Sequence, residues 1–413
     1  REGAGKMKPC SDKKINVAFG TVAITDVSKK LIKKILDSNR VSGGKYVRQF
    51  EKLFSEVIGA KEAVSVSSGA DADALALAVL YDFGAKRGDE VIIPALSFVA
   101  TGNAVLQAGF TPAFVDVRRD TLNIDAQKIE KAITKKTKAI MPVHLMGKPA
   151  DMDMINSIAK RHNLFVIEDA AEAYGAVYKG RKAGTMGDMA CFSLYVAHMI
   201  TTGEGGAVVT DKPEFAEILR SLRAHGRACK CESCVLNINS GHCDKRFKHG
   251  SNTDIRFIFE RIGFSSKMNE LEAAIGIGNI ETYPAILKKR RKNLLYMMEN
   301  FKEFKPYLYT IDEEECEEIG PHAFGVILGQ DVKFTRNELV YYMEQRGIDT
   351  RSLFSSMPTQ CPGFKFLGHK LGDFPEAEYI GENGLHFGIH QDLGKKELDY
   401  ILNVIKDFLT KNK

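Results

Sequence analysis

The sequence predicts an α/β protein built on a mostly parallel, buried sheet, with one large and one smaller domain. Three observations carry this. Seven short β-rich runs between about residues 60 and 211 are nearly continuously apolar, as strands buried on both faces are. Amphipathic or Ala/Leu-rich stretches separate them, as crossover helices would. At 413 residues, the chain exceeds what one small core requires.

The predicted strands are AVSVSS (63–68), EVIIPAL (90–96), PAFVDV (112–117), KAIMPVHL (138–145), LFVIEDA (164–170), ACFSLYV (190–196) and GAVVTD (206–211). DADALALAVLYDF and DMDMINSIAKRHN read as helices between them. Residues 228–262 break the pattern and read as a loop, with a cysteine-rich insertion at 228–250. A helical region is expected from Asn269, with Pro284 marking a break or kink. The remainder alternates short strands and helices. TRNE at 335–338 has capping-box spacing, and Gly347 suits a helix stop. The expected division is a disordered or extraneous tail over 1–14, a large domain over 15–268 and a small C-terminal domain over 269–413, with Met7 a candidate start.

Composition narrows the function classes. Hydrophobic residues make up 44% and charged residues 27%, as in ordinary globular proteins. The net charge of +5 comes from scattered basic residues, which argues against nucleic acid as a partner. No apolar run approaches the ~20 residues of a membrane span. The first fourteen residues lack the apolar core of a signal peptide, so a cytoplasmic setting is expected. Four of the eight cysteines, Cys229, Cys231, Cys234 and Cys243, fall within fifteen residues, and in that setting suggest a metal site before disulfides.

Several strand ends carry candidate chemistry, because ligands of parallel sheets gather at the carboxyl ends of strands. Ser68, Gly69 and Ala70 lie where a strand gives way to a helix, whose free amides and dipole favour an anion such as a phosphate. The same residues could form only a turn. Glu168 and Asp169 end a buried strand, where a carboxylate can keep a pyridine nitrogen protonated. A helix cap by Asp169 reads equally well. Phe98 could stack on a flat ring or serve the core. His144 has the look of a structural histidine.

Taken together and in order, SGGKYVRQFEKLFSEVIGAKEAVSVSSG, IIPALSFVAT, PVHLMGKPADMD, IEDAAEAYGA, TMGDMACFSLY and GEGGAVVTD resemble the sugar aminotransferase family of fold-type-I pyridoxal phosphate enzymes, the DegT/DnrJ/StrS type. The resemblance runs from about residue 16 to the C-terminus, interrupted by the cysteine loop. It implies a seven-stranded large domain and substrates that are nucleotide-linked keto sugars. It also implies that Gly69, Ala70 and Ser193 contact the cofactor phosphate, that Phe98 stacks on its ring and that Asp169 pairs with its pyridine nitrogen; Ser68 and Glu172, the latter acidic where the family's transaminases often have glutamine, complete the expected cofactor-binding set. The lysine that holds pyridoxal phosphate as a Schiff base falls at His198. Imidazole forms no stable Schiff base but can transfer protons near neutral pH. AHMITTGEGGAV thus resembles the histidine-containing hexose 3-dehydrase branch. That branch binds pyridoxamine phosphate and removes the 3-hydroxyl of an NDP-4-keto-6-deoxyhexose, with His198 and Asp169 as the catalytic pair.

Within that branch, one type regenerates its cofactor from glutamate. The other carries a [2Fe–2S] cluster fed by a separate flavin-containing reductase. GRACKCESCVLNINSGHCDKRF resembles the second, matching Cys229, Cys231 and Cys243 to cluster ligands. The family's fourth ligand position is Ala171 here, so Cys234 is the substitute, and zinc is the alternative occupant. GFSSKMNE (263–270) resembles a segment that reaches the neighbouring active site, implying a homodimer. The competing readings are a cluster-free dehydratase with a structural zinc, and a non-catalytic protein that binds pyridoxal phosphate in a regulatory role.

Overall fold

The computed structural model describes residues 16–229, 231, 242–248 and 253–412. The expected tail over 1–14 and Cys234 lie outside the described residues.

All seven predicted strands form, and they make one sheet. They are β1 (Glu62–Val66), β2 (Glu90–Pro94), β3 (Thr111–Val115), β4 (Thr137–Ile140), β5 (Phe165–Asp169), β6 (Met189–Ser193) and β7 (Gly206–Thr210), in the spatial order β1-β7-β6-β5-β4-β2-β3. The pairs from β6 through to β3 are parallel, whereas β7 pairs antiparallel with both β6 and β1. Two reversals restore direction, so β1, β5 and β6 all point the same way. Their carboxyl ends, at Val66, Asp169 and Ser193, share one edge of the sheet.

The continuous apolar runs are explained by cover on both faces. Val64, Val66, Cys191 and Val208 enter one core with Leu75 and Leu219 from the helices Gly69–Val79 and Pro213–Leu222. Their strand neighbours Ala63, Ala190, Phe192 and Val209 enter a second core with Phe50 and Phe54 from the helix Lys45–Ile58. Alternation along each strand thus supplies both layers.

The C-terminal part holds a four-stranded antiparallel sheet of β8 (Leu308–Tyr309), β9 (Phe324–Leu328), β10 (Thr350–Ser352) and β11 (Gly384–Phe387), ordered β8-β9-β11-β10. The helix Glu270–Phe301 runs unbroken through Pro284, contrary to a break there. Its first half packs Ala273, Ala274 and Ile277 against the large sheet's second core, and its last turns send Leu294, Met297 and Phe301 into the core shared with β9 and β11. Packing at both ends holds the helix, and Pro284 itself sits on its exposed side. Asn269 and Glu272 form its capping box, and Thr335 and Glu338 form the one that the TRNE spacing predicts. Gly347 follows that second helix at φ +79°.

Candidate functional site

The common carboxyl edge of β1, β5 and β6 gathers most of the sequence-predicted residues. After β1, Ser68 caps the helix Gly69–Val79, its Oγ accepting the Asp71 amide at 3.0 Å while its carbonyl accepts the Ala72 amide. The first amides of the helix, at Gly69 and Ala70, stand outside the intrahelical ladder and favour an anion. Only glycine fits at 69, because a β-carbon there would stand 2.7 Å from the Cβ of Ser193 at the end of β6.

Glu168 and Asp169 are neighbours on β5 and so face opposite ways. Glu168 is a structural carboxylate. It accepts from the amides of Gly184, Met186 and Gly187 and from His144 Nε2 at 2.8 Å. His144 Nδ1 accepts the Ala150 amide, which places the proton on Nε2 and makes the ring neutral. The sequence reading of His144 as structural agrees with this. Asp169 is buried, with Thr101 Oγ1 donating to its Oδ2 at 2.8 Å and the Ala171 amide to its Oδ1 at 3.2 Å. Burial raises its pKa, and the two hydrogen bonds oppose the rise only in part. Such an oriented carboxylate, held by neutral partners, suits a cationic group. Below it, Asp73 is buried with its Oδ1 unpartnered, and burial first, then the charge of Asp169, raises its pKa well above the ordinary value.

His198 lies in the loop between β6 and β7, its amide bonded to the Tyr195 carbonyl at 3.0 Å. Its ring is half-buried, and Nδ1 is buried without a hydrogen-bond partner. Desolvation, helped by the positive charge of Arg290, lowers its pKa to about 3, so the ring is in its base form at neutral pH. Tyr174 joins this residue to the phosphate-side edge. Its hydroxyl donates to the Ser193 carbonyl at 2.9 Å and its ring centre is 6.3 Å from that of His198. Glu172 accepts the Met146 amide at 2.7 Å, yet burial pushes its pKa to about 8, so it is mostly protonated at pH 7.

Phe98 is 57% exposed, at the start of the helix Val99–Gln107. Pairing of Leu96–Ser97 with Ser355–Ser356 brings Phe354 within 5.7 Å of its ring centre. Sequence reasoning missed the wall that continues from there. Phe354 faces His386 at 5.8 Å, His386 faces Phe19 at 5.2 Å, and His322 stands 5.2 Å from His198. These residues come from the C-terminal part and the N-terminal segment, and no motif links them to the strand ends.

In the cysteine loop, Cys229, Cys231 and Cys243 are free thiols. Burial and contact with Cys229 raise the Cys231 pKa, and Cys243 adds to the rise. The three therefore lie near one another, although no group of three ligands closes on a metal position among the described residues.

Comparison with known proteins agrees with this architecture. Residues 23–406 match the DegT/DnrJ/EryC1/StrS aminotransferase family. The chain is 36% identical to GDP-4-keto-6-deoxy-D-mannose 3-dehydratase of Yersinia pseudotuberculosis, over 95% of this chain and 100% of that protein. It is 34% identical to dTDP-4-dehydro-2,6-dideoxy-D-glucose 3-dehydratase of Saccharopolyspora spinosa, over 95% of this chain and 86% of that one. A solved structure of the Escherichia coli GDP-4-keto-6-deoxy-D-mannose 3-dehydratase with bound hydrated PLP superposes with a TM-score of 0.84 at 33% identity, covering 95% of this chain and 100% of its own. With the fold, the strand-edge site and a match spanning nearly the whole sequence in agreement, the chain belongs to the DegT/DnrJ/EryC1/StrS aminotransferase family.

Proposed function

We propose that the protein is a pyridoxamine phosphate-dependent NDP-4-keto-6-deoxyhexose 3-dehydratase, acting in deoxysugar synthesis. The observation that carries the reading is His198, an imidazole in base form where the family's transaminases present a lysine. The two 3-dehydratases among its relatives support it.

The residues present fit the cofactor. Gly69, Ala70 and Ser68, with Ser193 packed against Gly69, form an anion cradle for its phosphate. Phe98 would offer an exposed face for its ring, and Glu172, neutral because of its burial, would serve as a donor to it. Asp169 is a buried carboxylate that gains from a protonated pyridine nitrogen. When bound, pyridoxamine phosphate supplies an amine that condenses with the substrate's keto group and a ring that accepts the electron pair left by proton loss. Asp169, oriented by Thr101, would hold the proton on the ring nitrogen. His198 would take a proton at the cofactor's 4′ carbon and return one to the departing 3-hydroxyl. The aromatic wall keeps water from the inner side of His198.

The finer part of the proposal concerns the cysteine loop. Cys229, Cys231, Cys234 and Cys243 would hold an iron–sulfur cluster of the [2Fe–2S] kind, with zinc the alternative occupant. The support is the proximity of the three described thiols and the soft-donor chemistry of the set. Reductive removal of the hydroxyl as water requires two electrons, which a cluster held there would supply singly from a flavin-containing reductase partner. Assembly as a homodimer and the division at 268/269 belong to the same proposal.

The test is mass spectrometry of the sugar product after anaerobic incubation with pyridoxamine phosphate, an NDP-4-keto-6-deoxyhexose and dithionite as the source of the two electrons. Loss of the 3-hydroxyl is expected. Amino transfer to carbon 4 with the 3-hydroxyl intact would overturn the reading in favour of a transaminase.

A further inference from the structure

His322 stands against His198 from the other side of the chain, just before β9, and neither motif nor strand edge points to it. The two imidazole centres are 5.2 Å apart and their planes are tilted by 32°. His322 is buried and is fixed from several directions. Its Nε2 lies 3.5 Å from Glu172 Oε1, its amide donates to the Gly320 carbonyl at 2.8 Å, and Arg290 Nη1 donates to its carbonyl at 3.4 Å.

Glu172 is itself held by an unusual piece of backbone. Met146, which donates to it, has φ +53°, a left-handed conformation that side-chain-bearing residues avoid. The turn keeps that shape because it is stitched to the segment carrying His322. The Gly320 amide donates to the Gly147 carbonyl at 2.9 Å, and any β-carbon on Gly147 would run into Gly320. One pair of turns therefore positions both Glu172 and His322. Packing alone would not require a carboxyl group aimed at the ring.

We propose that His322 is a positioning residue of the site, pinned by Glu172 and the stitched 145–148 and 320–322 turns so that its ring backs His198 and shuts water from its inner face. The inference rests on the reading of His198 as the proton-transfer group. The groups facing His198 are Tyr174 at 6.3 Å, Tyr195 at 6.4 Å and His322, with Arg290 the charge it feels. His322 faces His386, Phe19 and Glu172 in turn. Burial, followed by His198, His386 and Arg290, holds the His322 pKa well below the ordinary value, so it backs His198 as a neutral ring.

The experiment is an NMR titration of the His198 ring in the protein without cofactor or substrate, its signal assigned with His198→Gln. Native protein is expected to titrate far below the ordinary histidine midpoint of about 6.5. His322→Ala should admit water and move the midpoint upward by about a pH unit or more. His322→Phe, which keeps a flat buried ring, should leave it within a few tenths. In turnover, His322→Ala should lower kcat with little change in KM for the nucleotide sugar. An unmoved His198 midpoint in folded His322→Ala overturns the proposal, and His322→Gln serves with the same two outcomes should the alanine variant not fold. Because the titration needs no reaction, absence of dehydration by the native protein would count against the function and leave this result standing.

Discussion

A β-carbon on Gly69 would stand 2.7 Å from the Cβ of Ser193, so the phosphate-side edge of the site is closed to any larger residue. Gly69→Ala must push the helix Gly69–Val79 away from β6, at a cost of about 1–3 kcal/mol in stability. Cofactor retention should fall more sharply than stability, because the first helical amides move with the helix. Equilibrium dialysis of pyridoxamine phosphate beside thermal unfolding separates the two effects. Equal cofactor affinity in the variant would remove Gly69 from the cradle.

Asp169→Asn should keep the Thr101 contact and the fold while losing the charge that favours a protonated ring nitrogen. Turnover should drop by an amount equivalent to about 2–4 kcal/mol, as for other preorganised charges. Single-turnover kinetics, in which chemistry limits the rate, give the figure. An unchanged rate would mean that another group holds the proton.

His198→Lys should restore a covalent hold on pyridoxal phosphate and reduce dehydration. Borohydride treatment followed by peptide mapping should place the cofactor on residue 198 in the variant and on no lysine of the native protein. A trapped lysine in the native chain would contradict the assignment of His198.

Stability should fall on acidification for a definite reason. His386 is buried, and desolvation first, then the charge of Arg351, lowers its pKa to about 3. Between pH 6.5 and about 3, the unfolded chain binds a proton at this residue that the folded chain refuses. Stability from this residue is therefore present above pH 6.5 and lost toward pH 3, by about 1.4 kcal/mol per pH unit. Glu172, raised to about 8 by burial, acts oppositely, favouring the fold below its unfolded pKa and losing that contribution as pH rises through 8. Denaturant unfolding of His386→Phe across this range should show a shallower acid loss than the native protein. Parallel curves would show that His386 does not titrate differently on folding.

Cys234→Ser tests the loop. Anaerobically purified native protein should contain iron and sulfide, and the variant should lose most of both while retaining bound pyridoxamine phosphate. Stoichiometric zinc without iron in the native protein would select the cluster-free alternative, and a full cluster in the variant would assign the fourth ligand elsewhere.

The seven strands, their order along the chain and most of the edge residues were legible in the sequence, because both signals are local. A strand buried on two faces must be apolar throughout, as in GAVVT of β7, and a helix that starts after a strand must expose its first amides, as at Gly69. Glu168 and Asp169 illustrate the limit of such signals. Their pattern showed two carboxylates at a strand end, whereas only the folded surroundings separated the one satisfied by three amides and His144 from the one held by Thr101. His322, His386 and Arg290 gave no sequence signal at all. They lie more than ninety residues from His198, and His322 and Arg290 reach it, with His386 beside His322, only because the helix Glu270–Phe301 and the sheet of β8 to β11 pack against the layers of the seven-stranded sheet. The fold and the strand-edge position of the candidate residues could be read from the sequence, since periodicity and residue type act over a few positions, whereas the histidine in place of a lysine at 198 came from the resemblance to the family. The tertiary structure alone decided which groups surround that imidazole and hold it in its base form, because desolvation and charge act through space between segments that the chain keeps far apart.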